Sequence, residues 1–262
     1  MKIYIYGIID SKGRIGRHIK GLRRTRVYTI PYRNISIVAS TLNREIQDIS
    51  SDRIVEHEIV VERLMENFAV LPVRFHTIFN SKKDVLTVIS DYYIDFRENL
   101  NRLRNKAEFG IKVIWDGNAI RERIINNCPE KSQRMPVSGN SPAKSFIKEK
   151  FQKYKIDKEF KEEAERCIIA VDSFFSGAAA EKRLEKLKSE NLLLSASYLV
   201  DKERQNDFKQ SFEELKSTHS DFKYLFSGPW PPYNFIILKR KPIRQNISEA
   251  DMINGIPLAK RW

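Results

Sequence analysis

Histidine and cysteine are the residue types that most often supply metal ligands, nucleophiles and proton carriers. The chain has 262 residues, with four histidines and two cysteines. His57 precedes Glu58, but the second histidine that a zinc-binding helix requires four residues on is missing. Neither Cys128 nor Cys167 has metal-ligand spacing to another cysteine or histidine. A nucleophile elbow and a Gly-Lys-Ser/Thr phosphate loop are also missing. The sequence therefore predicts no enzymatic activity, no metal and no cofactor, and His57 is interpreted as a packing or surface residue.

A basic Gly-x-x-Gly loop is the feature closest to a nucleic-acid motif. It runs from Gly13 to Gly16 and is followed by basic residues up to Arg26. In KH domains such a loop joins two helices and clamps a nucleic-acid backbone. Here it follows a predicted strand, which favours a flexible basic loop. Nucleic-acid binding through this loop is kept as the alternative function.

Residues 71–75 form an apolar string with a single arginine in it. Two interpretations are open. In the first, the string is a strand that enters a core, and Arg74 pairs with a carboxylate. In the second, it is an interface segment, and Arg74 is its central contact. Its members are Leu71, Pro72, Val73, Arg74 and Phe75.

A second string, at 228–233, combines three prolines with two large aromatic side chains. Prolines fix φ and make the segment stiff, and Trp230 and Tyr233 offer large rigid contact areas. The string is equally compatible with inter-domain packing and with an aromatic patch for a partner. Its members are Gly228, Pro229, Trp230, Pro231, Pro232 and Tyr233.

The composition is that of a folded, basic protein. Hydrophobic residues make up 41% of the chain, enough for real cores, and the formal net charge is +13. The positive excess suits an anionic partner, but charged runs such as 148–150 and 162–163 are typical of solvated helix faces. Two cysteines indicate a reduced compartment. No apolar run reaches the roughly 20 residues that cross a bilayer, so we expect a cytoplasmic protein without a membrane partner.

The first part of the sequence predicts strands mixed with two helices. Residues 2–9 predict a strand, and 27–30 with 35–39 predict a hairpin around the 31–34 turn. Helical spacing begins at Asp52, and Ser81 with Asp84 forms a capping box for a second helix. Residues 109–115 predict a strand that closes an α+β sandwich domain over 1–118. The predicted apolar stripe of the first helix consists of Ile54, Val55, Ile59, Leu64, Met65 and Phe68.

The second part predicts a ferredoxin-like domain with inserted helices, over residues 119–240. Asn, Pro and Gly crowd residues 126–145, which predicts a loop or linker. A helical region is expected from Ala143 to about Glu190, then strands at 192–200, 222–226 and 234–238 with a helix after Asp201. Residues 241–262 form a basic C-terminal tail. The predicted stripe of the long helical region includes Phe146, Phe151, Phe160, Ile168 and Phe174.

Five collinear segments resemble the GvpF/GvpL family of gas vesicle proteins. They are 4–8, 71–75, 108–113, 195–200 and 228–233, and the Gly-Pro-Trp-Pro-Pro-Tyr string is the most specific of them. Family members commonly have glycine where this chain has His76. If that glycine has a positive φ, His76 strains or changes the local turn.

The resemblance implies two α+β domains, the second ferredoxin-like, and a C-terminal tail that helps to join them. It also implies a non-enzymatic role in assembling the gas vesicle shell. The partners it implies are the main shell protein GvpA and other accessory Gvp proteins. We expect the first domain, including residues 71–75, to supply the contact face.

Overall fold

A computed structural model describes residues 2–12, 15–16, 18–42, 50–127 and 142–239. The described chain divides into two compact units. The first contains the residues up to 108 together with those from 228 onward, and the second contains residues 109–227. Short 3-10 helices lie at Leu22–Arg24, Lys202–Arg204 and Tyr233–Phe235.

The first unit is built on an antiparallel sheet in the order β2-β3-β1-β4, with β5 also paired to β1. The predicted hairpin is confirmed, although Pro31 and Tyr32 belong to its first strand and the turn is made by Arg33 and Asn34. The strands are β1 (Lys2–Ile9), β2 (Val27–Tyr32), β3 (Ile35–Leu42), β4 (Val70–Pro72) and β5 (Ile78–Phe79).

Gly7 allows β4 to approach β1 closely. Gly7 lies opposite Pro72 in the antiparallel pair, and a Cβ at Gly7 would stand 2.9 Å from the carbonyl oxygen of Leu71. The register of β1 with β3 also shifts between Ile5 and Gly7. A glycine is therefore needed where the strand both bulges and meets the neighbouring backbone.

Helices cover both faces of this sheet. Helix α1 (Ser51–Met65) lies against Tyr4, Tyr6 and Ile9 of β1 through Val60, Val61 and Leu64. Helices α2 (Lys82–Asp91) and α3 (Tyr93–Leu103) lie on the other face, where Val85, Ile89 and Phe96 face Ile5 and Ile37 across a small apolar cavity. This layering explains why β1 is buried on both sides.

The helix cap predicted at the start of α2 is confirmed for Ser81, whose hydroxyl accepts from a helix N–H. The amide N–H of Asp84 donates to Ser81 Oγ at 3.2 Å, and Ser81 Oγ donates to Asp84 Oδ2 at 2.8 Å. Ser81 thus satisfies one free N–H at the helix N-terminus, and the Asp84 carboxylate accepts from the Ser81 hydroxyl.

The second sheet has the order β7-β8-β6-β9, with β6 and β8 in the centre. The helices fall between the first and second strands and between the third and fourth, which is the ferredoxin-like order. Residues 109–115, predicted to close the first domain, lie instead in and just after β6, because the strands that pair with β6 come from later in the chain. The compact units therefore divide near residue 108 rather than 118. The elements are β6 (Lys106–Ile114), α4 (Gly117–Asn127), α5 (Pro142–Ser173), β7 (Ala179–Lys186), β8 (Leu192–Asp201), α6 (Gln205–Thr218) and β9 (Lys223–Trp230).

An aromatic cluster fills the core of the second unit. The ring centroid of Phe208 lies 4.8 Å from that of Phe175, 5.1 Å from that of Phe109 and 5.4 Å from that of Tyr198. These tilted contacts join α6, β6, β8 and the end of α5. They fix the two helices that cover this face of the sheet.

The long helical region is shorter than predicted. Helix α5 ends at Ser173, and residues 179–186 form strand β7 rather than helix. Their Glu, Lys and Ala content favours helix locally, but pairing with the buried strand β8 decides their conformation. The predicted apolar stripe was also only partly correct, because Phe160 and Ile168 are buried whereas Phe146 and Phe151 are exposed.

Candidate protein-interaction surface

The string at 71–75 is part of the core of the first unit. Leu71, Pro72 and Val73 are buried, Phe75 is half-buried and Arg74 is exposed. The N–H of Val73 donates to the Tyr6 carbonyl at 3.1 Å. Of the five predicted contact residues, the structure therefore leaves Arg74 and part of Phe75 accessible.

His57 ties α1 to this string. Its Nε2 lies 2.9 Å from the carbonyl oxygen of Val73 and its Nδ1 lies 2.8 Å from the hydroxyl of Tyr4. A carbonyl oxygen only accepts, so Nε2 carries the proton and Nδ1 accepts from Tyr4. The side chain is fully buried, and burial raises the pKa of the Tyr4 hydroxyl. The geometry agrees with the predicted packing role of His57.

His76 occupies the left-handed region expected for a glycine at this position. Its φ is 71°, and its N–H donates to the Tyr4 hydroxyl at 3.0 Å. The turn is closed by Thr77 Oγ1, which donates to the Arg74 carbonyl at 2.7 Å. An L-residue is strained in this conformation, so the turn is maintained by its hydrogen bonds.

The string at 228–233 belongs to the first unit, and Gly228, Pro229 and Trp230 are also the last residues of β9. Pro231, Pro232 and Tyr233 are buried, Gly228 and Trp230 are half-buried, and Pro229 is exposed. Gly228 has a φ of 115°, a value that favours glycine, and its bond to Pro229 is cis. The Tyr233 hydroxyl donates to Glu58 Oε1 at 3.0 Å. Neighbouring residues of α1, His57 and Glu58, thus contact the two strings.

Residues 234–238, predicted as a strand, are not one in the structure. They begin in the 3-10 helix at Tyr233–Phe235 and continue without strand pairing. Side chains satisfy their backbone instead. The amide N–H of Ile237 donates to Asn99 Oδ1 at 2.9 Å, and that of Lys239 donates to Asp95 Oδ2 at 3.2 Å.

Three buried polar residues hydrogen-bond to residues 234–239, and sequence reasoning missed all of them. Asp95, Asn99 and Glu108 are each less than 5% exposed. Glu108 accepts from the N–H of Asn234 at 2.9 Å and from its side-chain amide. The available signal was the spacing of Asp95 and Asn99, which places two polar groups on the same face of α3. Such buried polar groups need partners, and here the partners are in the last described segment.

The outer face of α1 carries exposed apolar residues flanked by acidic ones. The predicted stripe of this helix was wrong for Ile54, Val55 and Ile59, whose exposures are 40%, 54% and 40%. The stripe that packs inward is His57, Val60, Val61 and Leu64. We define the α1 strip as the exposed residues at spacings of three and four that run along the solvent side. It consists of Asp52, Val55, Ile59, Glu62 and Glu66.

Several predictions fall wholly or partly outside the described residues. In the Gly-x-x-Gly loop, Gly13, Arg14 and Arg17 lie outside them. So do Cys128, most of the predicted linker and the tail at 241–262. Within the described ranges, no group of three or more His, Cys, Asp or Glu side chains is arranged to hold a metal ion. No helix in that part of the chain is long and apolar enough to cross a membrane.

The fold and these contacts define an α+β protein with two antiparallel sheets, in which buried polar side chains hydrogen-bond to the last described segment of the same chain. The chain belongs to the gas vesicle synthesis protein GvpL/GvpF family, whose model matches residues 2–236. Family membership gives the chain a gas-vesicle-associated role.

Two relatives align with nearly the whole chain. Gas vesicle protein F2 of Halobacterium salinarum is 22% identical over 238 residues, which cover 89% of this chain and 91% of that protein. Gas vesicle protein L1 of the same organism is 22% identical over 254 residues, covering 88% and 89%.

Two solved structures share the fold. The crystal structure of GvpF from Anabaena sp. superposes with a TM-score of 0.76 at 20% identity, covering 91% of this chain and 99% of that one. GvpF from Microcystis aeruginosa gives a TM-score of 0.76 at 21% identity, covering 90% and 99%. The predicted family and fold class are thereby confirmed.

Proposed function

We propose that this protein is a non-enzymatic assembly factor that binds the main shell protein GvpA and other Gvp proteins while the vesicle is built. The observation that supports a contact role is the exposed apolar pair Val55 and Ile59 on the side of α1 opposite the core. Exposed apolar groups held on a rigid element are suited to transient binding of hydrophobic subunits.

The two proline-containing strings contribute by holding α1 in place. His57 reaches the carbonyl of Val73, and Glu58 reaches the hydroxyl of Tyr233. Because these residues are neighbours on the helix, both strings restrain the same turn. A contact surface held in this way binds with less loss of conformational freedom. Arg74 and Pro229, the exposed members of the strings, remain proposed contact residues.

The described cavity of the first unit gives no support to an enzymatic function. The cavity between β1 and the α2–α3 layer is lined by apolar side chains such as Ile5, Val85 and Phe96. An enzyme site needs convergent titratable groups in a pocket, which this cavity does not offer.

The proposal is tested by co-expressing GvpA with the tagged chain and measuring capture at moderate and high salt. The variant is Val55→Ser combined with Ile59→Ser. The matched control is Ile94→Ser, which removes an exposed apolar side chain from α3 of the same unit. We expect the double variant to reduce GvpA capture about tenfold, since truncating central contact residues has effects of this size. The control should bind as the wild type does.

Salt separates the assembly role from nucleic-acid binding. Apolar capture of GvpA should persist at high salt, whereas phosphate contacts weaken steeply as salt rises. Undiminished GvpA capture by the double variant would reject the α1 strip as the contact. Absence of GvpA capture at either salt, with tight and salt-sensitive capture of RNA or DNA, would reject the proposed function.

A further inference from the structure

Helix α5 consists of two halves that differ in burial. From Phe160 onward it packs into the second unit through Phe160, Ala164, Ile168 and Val171. None of the described side chains between 146 and 159 is buried. That first half nevertheless carries four large apolar side chains that are each more than half exposed. They are Phe146, Ile147, Phe151 and Tyr154.

Lysines accompany these apolar side chains. The ammonium group of Lys150 lies 4.6 Å from the ring centroid of Phe146, and that of Lys155 lies 5.0 Å from that of Phe151. Lys158, one turn beyond Tyr154, is 61% exposed and forms a surface ion pair with Glu162 at 3.8 Å. A solvated helix that stood alone would not need aromatic side chains on its surface. The face therefore suits a partner that is both apolar and acidic.

Spacing places part of this surface in one line. We define the α5 strip as the exposed residues at alternating spacings of four and three, the pattern that keeps side chains on one helix face. It consists of Ile147, Phe151, Tyr154, Lys158 and Lys161. The strip is apolar at its N-terminal end and basic at its C-terminal end.

The α1 strip has the complementary chemistry. Val55 and Ile59 supply an exposed apolar pair, and Glu62 and Glu66 follow at the same four-and-three spacing. Both strips run from an apolar pair to charged residues of opposite sign, and they differ where Glu62 corresponds to Tyr154. Two helices with such seams pair in parallel when equivalent positions face each other.

We propose that the chain associates with a second copy of itself by docking the α5 strip of one copy on the α1 strip of the other. In this register Val55 faces Ile147, Ile59 faces Phe151 and Glu66 faces Lys158. Glu62 faces Tyr154, whose hydroxyl can donate to the carboxylate. The contact joins two different surfaces, so it repeats from copy to copy until a ring closes or a short chain ends.

The size of the surface sets the strength of this association. Two apolar contacts with charges at the rim give a weak, reversible complex that responds to concentration and salt. The inference concerns the chain alone and does not rest on the proposed binding of GvpA. Both surfaces are judged from the exposure of their own residues.

Sedimentation velocity of the full chain, over a wide concentration range at low and moderate salt, provides the test. We expect concentration-dependent association that Phe151→Ala weakens about tenfold, because it removes the central apolar contact. Alanine is the best helix former, and Phe151 is exposed, so the helix is retained. The matched control is Ile169→Ala, an exposed apolar side chain on the packed half of α5. That control should associate as the wild type does.

A charge exchange tests the register itself. Lys158→Glu and Glu66→Lys each place like charges opposite one another and should weaken association several-fold at low salt. The chain that carries both substitutions should regain the wild-type association. Circular dichroism checks that every variant is folded.

A chain that stays monomeric at every concentration would overturn the proposal. So would association that Phe151→Ala leaves unchanged, or a double charge variant no better than its parents. Binding to anionic vesicles or RNA through the α5 strip, without self-association, would assign that strip to another partner and likewise reject a second copy. Loss of GvpA capture in the α1 variants, with no self-association in the wild type, would reject this inference and retain the proposed function.

Discussion

Asn99 and Ile237 are joined by two hydrogen bonds that reproduce the pairing between neighbouring strands. The side-chain amide of Asn99 donates to the carbonyl of Ile237 at 2.7 Å, and the N–H of Ile237 donates to Asn99 Oδ1 at 2.9 Å. A buried helix side chain thus replaces a backbone partner. The segment at 234–239 can therefore be held without belonging to a sheet.

Asn99→Asp should destabilise the protein and release this segment. One oxygen of the new carboxylate would keep the bond from Arg102, which donates to Asn99 Oδ1 at 3.0 Å, but the other would face the carbonyl oxygens of Asp95 and Ile237, which now accept from the amide. Burying an acceptor against acceptors costs about 2–4 kcal/mol, within the range for disrupted buried polar networks. Urea unfolding measures the loss of stability, and limited proteolysis with mass spectrometry locates cleavage near residues 236–239.

The matched control for this prediction is Asn101→Asp, the same chemical change at an exposed position of α3. It should alter the free energy of unfolding by less than about 0.5 kcal/mol. Equal stability and equal cleavage of the two variants would show that the Asn99 bonds do not hold the segment.

His76 provides a test of backbone strain that separates the backbone from the side chain. At a φ of 71°, glycine is tolerated and every L-residue pays a steric penalty. We expect His76→Gly to be more stable than His76→Ala by about 1 kcal/mol, because alanine keeps the penalty and both variants lose the imidazole ring. Thermal or urea unfolding of the two variants gives the difference.

The reverse order of stability would contradict the left-handed conformation at residue 76. A comparison at Thr77, which is buried and closes the same turn, is less informative because its substitution also removes a hydrogen bond. The Gly–Ala pair at residue 76 leaves that bond in place.

Local signals predicted much of the framework. Alternation and turn residues gave β1 and the β2–β3 hairpin, and Ser81 with Asp84 gave the start of α2. These features depend on short-range preferences that the sequence states directly. The ferredoxin-like class of the second half was also predicted, but from a partly wrong set of strands, because β6 was assigned to the first domain, β7 was predicted as helix and residues 234–238 are not a strand.

The errors share one physical cause, which is that burial depends on partners far away in the chain. The pattern of α1 suggested Val55 and Ile59 as core residues, but the inward face includes His57, because Tyr4 and Val73 satisfy both its nitrogens. Residues 234–238 have strand composition, yet their hydrogen-bond partners are side chains of α3 and β6. Neither outcome follows from periodicity alone.

The candidate surface was harder to predict than the fold for the same reason. Residues 71–75 and 228–233 were chosen for their unusual composition, and most of them turned out to be buried. Large apolar and proline side chains serve cores and contact surfaces equally well. The exposed positions on α1 and α5 emerged only when the packed faces of both helices were known.

Buried tyrosines make the stability of the fold sensitive to alkali. Burial raises the pKa of Tyr4, Tyr6 and Tyr198, and it raises that of Tyr224 to about 12. The ordinary value in the unfolded chain is 10.0. Below that pH both states keep the phenolic protons, so stability is fully present. Above it the unfolded chain releases protons that the folded chain retains, and stability falls as pH rises.

Tyr4→Phe should lower the free energy of unfolding at neutral pH but make it less dependent on pH above 10. The substitution removes the bonds to His57 Nδ1 and from the His76 N–H, which costs about 2 kcal/mol. It also removes one group whose pKa differs between the two states, so the slope against pH becomes shallower. Urea unfolding from neutral to alkaline pH, with tyrosinate absorbance recorded in parallel, measures both effects.

Tyr154→Phe, at a 64% exposed position, is the control for Tyr4→Phe and should change neither the stability at neutral pH nor its dependence on pH. Parallel slopes for Tyr4→Phe and the wild type would mean that Tyr4 ionises as readily in the folded chain as in the unfolded one.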